Sequence, residues 1–147
     1  MSEYIHKRHN VTVLLYHIVF PTKYRRFVID ERIDNTIKDI CLEIEKRYEM
    51  HFLEIGTDKD HIHLLVQSVP TYNVTQIVTT IKSITAREVF RLYPDVKKIL
   101  WGGEFWTDGY FVSTVSKHGN EDTVKNYVKT QGQEYKKMHE DRQLKLF

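Results

Sequence analysis

The chain has 147 residues, 22 Lys+Arg against 20 Asp+Glu, 41% hydrophobic and 12% aromatic side chains, six glycines, three prolines and one cysteine. That composition suits one folded domain over 1–147 and excludes collagen-like and low-complexity chains, a disulfide framework and a cysteine-based zinc site. No apolar run is long enough to span a bilayer, and the opening MSEYIHKRHN lacks the pattern of a signal peptide, so a cytoplasmic setting without membrane contact is expected.

The formal charge of +2 hides an uneven layout. Residues 1–29 carry five basic side chains and one acidic, whereas 30–60 carry ten acidic against five basic. Basic residues gather at Lys23, Arg25 and Arg26 and again at Lys82, Arg87 and Arg91. On charge alone this is equally a phosphate-facing side or an ordinary solvated surface.

Val11 to Phe20 is a continuous β-rich apolar run closed by Pro21, as expected of a central strand covered on both faces. From Asp30, a capping residue, Ile33, Ile37, Ile40, Cys41, Ile44 and Tyr48 recur at helical spacing, which makes Cys41 a core residue. Two short strands follow, about His51 to Thr57 and Asp60 to Ser68, joined so tightly at Asp58 and Lys59 that they form an antiparallel hairpin. A second helix, capped near Asn73, turns Val74, Ile77, Val78, Ile81 and Ile84 inward and presents Thr75, Thr79, Lys82 and Ser83 on its other face. An irregular Gly- and Trp-rich stretch after Pro94 leads to a strand at Tyr110 to Ser116, and a last helix starts with Asn120 as cap. The order β, α, β, β, α, β, α is the split βαβ arrangement: an α+β, ferredoxin-like (RRM-like) antiparallel sheet with helices on one face, plus a C-terminal helix.

Two groups of residues carry chemistry. In DHIHLLVQ, alternation puts Ile62, Leu64 and Val66 on one face and His61, His63, Leu65 and Gln67 on the other, with the histidines about 6.6 Å apart along the strand. Two imidazoles at that spacing can tilt toward one metal ion, or they decorate a solvent-facing strand. On the last helix Tyr127 and Gln131 lie one turn apart in a stripe with Val124, Val128, Tyr135 and Met138. Either Tyr127 packs in the core with Gln131 at the margin, or Tyr127 is a nucleophile and the Gln131 carbonyl oxygen a metal ligand. Gly132 weakens the helix there by roughly 0.5–1 kcal/mol relative to alanine.

DHIHLLV, YVKTQ, YHIVFPTKYRRFVI and LWGGEFWTDGYFVSTV, in that spacing, resemble the single-tyrosine HUH transposases of the insertion-sequence-200 type, from about Tyr16 to Gln131. Ser116 stands where the family is expected to have a glycine, and the GGEFW insert departs from its pattern. The resemblance implies His61, His63 and Gln131 as ligands of a divalent metal, Mg²⁺ or Mn²⁺, and Tyr127 as a nucleophile that becomes joined to a DNA 5′ phosphate. It further implies single-stranded DNA with hairpin ends of a mobile element as substrate, and a homodimer whose active sites are shared between subunits. Lys23, Arg25, Arg26, Lys82 and Arg87 are candidate phosphate contacts and Tyr24 a base-stacking candidate. The rival from another class is a noncatalytic ferredoxin-like module that binds single-stranded nucleic acid; a second is a metal nuclease that uses water and forms no protein–DNA adduct.

Overall fold

The computed structural model describes residues 5–6, 11–100 and 103–115, with side chains at 13–100 and 103–115. Its core is a four-stranded antiparallel sheet in the order β4-β5-β3-β6, built from β3 (Leu14–Pro21), β4 (His51–Asp58), β5 (His61–Ser68) and β6 (Phe111–Val115). Helix α1 (Glu31–Arg47) links β3 to β4, and α2 (Val74–Leu92) with the short α3 (Pro94–Ile99) links β5 to β6. The first and second strands of this sheet therefore run parallel with the third inserted between them, which is the split βαβ order expected from the sequence. A separate two-stranded ribbon pairs β1 (Ile5–His6) with β2 (Val11–Thr12).

Helices α1 and α2 begin where the sequence supplies a cap. Asp30 accepts a hydrogen bond from the Ile33 backbone N–H at 2.9 Å. Asn73 and Gln76 form a reciprocal capping box at 2.7 and 2.8 Å. The apolar stripes of α1 (Ile33, Ile37, Ile40, Cys41, Ile44) and α2 (Ile77, Val78, Ile81, Val89) pack on the sheet face formed by Ile18, Phe20, Ile62, Leu64 and Val66. Burial pushes the Cys41 thiol up to about 12, so it stays a neutral core side chain.

Some expectations shift. The run from Val11 divides at Val13, its first two residues pairing with β1 and the stretch from Leu14 forming β3. The hairpin turn lies at Lys59 and Asp60 rather than Asp58 and Lys59, so Asp60 sits in the turn and the strand begins at His61. Tyr48 ends α1 as its C-cap and is exposed, because the helix stops one residue short of it. The stretch after Pro94 holds α3 and then the buried Phe105 and Trp106; the Trp106 indole N–H donates to the Thr85 hydroxyl at 2.8 Å. Trp101, Ser116 and the last helix, with Asn120, Tyr127, Gln131 and Gly132, lie outside the described residues.

Candidate active site

The sheet face turned away from α1 and α2 carries the histidine pair. Strand register sets His61 opposite Pro21 and Asp58, and His63 opposite Val19 and Gly56. One residue separates them, so both rings project to this side, with centroids 6.4 Å apart and planes 35° apart, close to the spacing the strand rise dictates. Leu65, Leu15 and Val115 form a small apolar cluster farther along the same face.

His61 is 1% exposed, and its Nδ1 lies 3.0 Å from Asp60 Oδ1. The other Asp60 oxygen receives Arg25 Nε at 3.3 Å. Burial raises the Asp60 pKa, but the His61 hydrogen bond and the Arg25 charge outweigh it and hold the carboxyl below its usual range. An ionised carboxylate only accepts, so the His61 Nδ1 carries the proton that it donates to Asp60. A carboxylate that fixes the tautomer of a histidine in this way is the usual support of a metal-binding imidazole.

The turn at 22–26 places Arg25 there. Tyr24 and Arg25 both have left-handed backbone angles (φ 59° and 53°), each costing roughly 1–2 kcal/mol in a residue with a side chain. Thr22 holds the turn closed: its hydroxyl donates to the Arg26 and Asp60 carbonyls at 2.7 and 3.2 Å, and its N–H donates to the Asp60 carbonyl at 2.8 Å. The Lys23 N–H donates to the Phe105 carbonyl at 2.8 Å. Arg25 Nη1 is buried and has no hydrogen-bond partner among the described residues.

The candidate DNA-contacting residues divide. Tyr24 and Arg26 are exposed on the turn beside Asp60, and Phe27, which the sequence did not single out, is 75% exposed next to them. Lys23 is paired with Glu104 at 2.7 Å. Lys82 donates from one ammonium to the carbonyls of Thr107, Asp108 and Gly109 at 2.6–3.2 Å, and burial lowers its pKa against the raising pull of Asp108 and Glu104. It is a clamp on the loop before β6, with its three N–H donors spent, rather than an open phosphate contact. Arg87 lines a shallow cavity between α1 and α2 with Glu43, Arg47 and Glu88, on the helix-covered side of the sheet. Sequence reasoning missed Asp60 as a support for His61; the signal was a carboxylate in the tight turn immediately before the His-x-His strand.

Among the described residues no group of three or more His, Cys, Asp or Glu side chains is placed to hold a metal ion. The donor set nevertheless fits a site of two imidazoles completed by a side chain from elsewhere: Asp60 engages His61 through Nδ1, and the His63 ring lies beside it on the same face. No helix among the described residues is long and apolar enough to cross a membrane.

Comparison with known proteins places this architecture. The ISDra2 transposase TnpA of Deinococcus radiodurans is 31% identical over 118 residues, covering 80% of this chain and 84% of the relative. The transposase for insertion sequence element IS200 of Salmonella typhimurium is 31% identical over 121 residues, covering 82% and 78%. A crystal structure of a Deinococcus radiodurans R1 protein described as a transposase superposes with a TM-score of 0.70 at 30% identity, covering 86% of this chain and 97% of that one. A REP-associated tyrosine transposase bound to a REP hairpin shares the fold, with a TM-score of 0.56 at 9% identity over 92% of this chain and 74% of the other. The family pattern described as "Transposase IS200 like" matches residues 10–131, and the chain belongs to that family of transposases.

Proposed function

We propose that this transposase cuts and rejoins single-stranded DNA at the ends of an insertion sequence through a covalent bond to Tyr127. The observation that carries the reading is the imidazole pair on one sheet face, with His61 buried and held by Asp60 and Arg25, in a chain of this family. The Tyr127 oxygen attacks the scissile phosphorus, the bond to the 3′ oxygen breaks, and that oxygen takes up a proton and leaves as a 3′ hydroxyl. A second 3′ hydroxyl then attacks the phosphotyrosine, and the tyrosine oxygen leaves with a proton. One ester replaces another at each step, so no nucleotide cofactor is needed.

His61, His63 and the Gln131 carbonyl would hold a divalent ion, Mg²⁺ or Mn²⁺. Such an ion supplies polarisation of a phosphate oxygen. Tyr24 and Arg26, exposed beside the site, are proposed contacts for unpaired bases and phosphates, and the ligand is proposed to include a DNA hairpin. Because one tyrosine holds one strand end, a homodimer with shared active sites is proposed to process both ends.

The test incubates the full chain with labelled single-stranded oligonucleotides from both flanks of its gene and Mg²⁺ or Mn²⁺, followed by a denaturing gel. Label that travels with the protein and disappears in Tyr127→Phe, while DNA binding persists, is the expected result. His61→Ala or His63→Ala is expected to lower cleavage on the order of a hundredfold or more, as for loss of a group that stabilises transition-state charge. Tight binding without cleavage would leave the noncatalytic module, and cleavage without an adduct the water-using nuclease.

A further inference from the structure

The two histidines are oriented by different devices, and the second belongs to a residue with no side chain. His61 is held by a hydrogen bond to Asp60. His63 has Val19 as its cross-strand neighbour on β3 and Gly56 on β4. Val19 is buried and presents a branched Cβ, whereas Gly56 presents a hollow. The imidazole of His63 fills that hollow: a Cβ built on Gly56 would stand 2.0 Å from Nε2, 2.3 Å from Cε1 and 2.9 Å from Cδ2. Contacts that short do not occur, so any side chain at position 56 evicts the ring. The atoms displaced are the far end of a rotatable side chain, so the strand can keep its pairing while the imidazole turns about χ1. Glycine inside a strand otherwise weakens it, and an isolated one marks a close approach of this kind.

We propose that Gly56 is a positioning residue of the active site, whose missing Cβ lets the His63 imidazole lie across β4 in the orientation used to bind the divalent ion. The proposal rests on the metal-site reading above and adds a residue that has no side chain with which to ligate the metal. Where Asp60 fixes one ligand by an attractive contact, Gly56 fixes the other by leaving space between the backbone and the Val19 wall.

The experiment measures Mn²⁺ binding by titration of the full chain in five forms: parent, Gly56→Ala, His63→Ala, His61→Ala and the double variant Gly56→Ala/His63→Ala. Ring-proton NMR of His63 and thermal unfolding without metal are recorded on the same samples. Expected are contacts between the His63 ring and the Gly56 Hα protons in the parent, their loss in Gly56→Ala, and a fall in Mn²⁺ affinity of roughly tenfold or more. The metal-free unfolding temperature of Gly56→Ala should stay near that of the parent, which separates a turned ring from a damaged strand. In the His63→Ala background, adding Gly56→Ala should leave affinity unchanged and raise the unfolding temperature slightly, because the ring it would meet is gone and alanine suits a strand better than glycine. Parent-like Mn²⁺ affinity in Gly56→Ala, with affinity lost in His63→Ala, would overturn the role of Gly56 and leave the metal site standing. Parent affinity equal to that of both histidine variants would instead overturn the metal site, and with it any role for Gly56 in metal binding.

Discussion

At the scale of single residues, the chain Arg25–Asp60–His61 joins a strained turn to a site imidazole through one carboxylate. Asp60 has two loads, neutralising Arg25 and holding the His61 tautomer, and its lowered pKa keeps it charged for both. Asp60→Asn keeps an oxygen that can accept from Nδ1 but removes the charge from both partners. The replacement is expected to lower Mn²⁺ affinity by about 10–100-fold, the usual cost of losing such a support, with DNA binding largely kept. Isothermal titration with Mn²⁺ checks it, and unchanged affinity would mean that His61 needs no orienting partner. Neither this carboxylate nor Gly56 stands out in composition, since the role of each depends on a neighbour across a turn or a strand. His61 and His63, by contrast, could be placed on one face from strand alternation alone.

At the scale of elements, what was legible in the sequence is what repeats. Period-two alternation in β5 and helical stripes in α1 and α2 run for several turns or residues, so their faces could be assigned before any coordinates. The β1–β2 ribbon and α3 span two to six residues each, too short for a period to emerge, and only their tertiary partners define them. The caps were legible because they are local chemistry. Asn73 is a sharp case: it closes the box with Gln76 at the start of α2, the helix that carries Thr85 to the Trp106 indole and Lys82 to the loop before β6. Asn73→Ala should cost about 1 kcal/mol of stability, and Asn73→Gly only a few tenths, because glycine lets water reach the freed N–H groups. Urea denaturation of the two variants decides the matter; equal losses would show that water access does not offset the lost cap.

At the scale of the whole molecule, the central strand β3 is covered on one side by helices and carries titratable groups on the other, so the stability of the fold depends on pH. His17 faces the same side as the histidine pair, between Leu65 of β5 and Ser113 of β6, and burial lowers its pKa. A histidine with a depressed folded pKa binds fewer protons folded than unfolded. Its contribution is therefore whole above the ordinary value of 6.5 and is lost as pH falls from there toward the folded value. Glu54, paired with Leu65 from the opposite edge, has the reverse sign: burial raises its pKa above 4.5, so its protonated form favours folding, and its contribution is present below 4.5 and lost as pH rises through the folded value. The two effects occupy different windows, His17 just below neutrality and Glu54 nearer the carboxylate range. Chemical denaturation of the parent at a series of values from neutrality downward should first show a loss of stability, then a slower loss as Glu54 takes up its proton. His17→Gln should flatten the first part of that curve without altering the second, and Glu54→Gln should leave the first part and make the second steeper, because the offsetting proton uptake is gone. An unchanged slope just below pH 6.5 in His17→Gln would place the acid sensitivity of the fold in some other group.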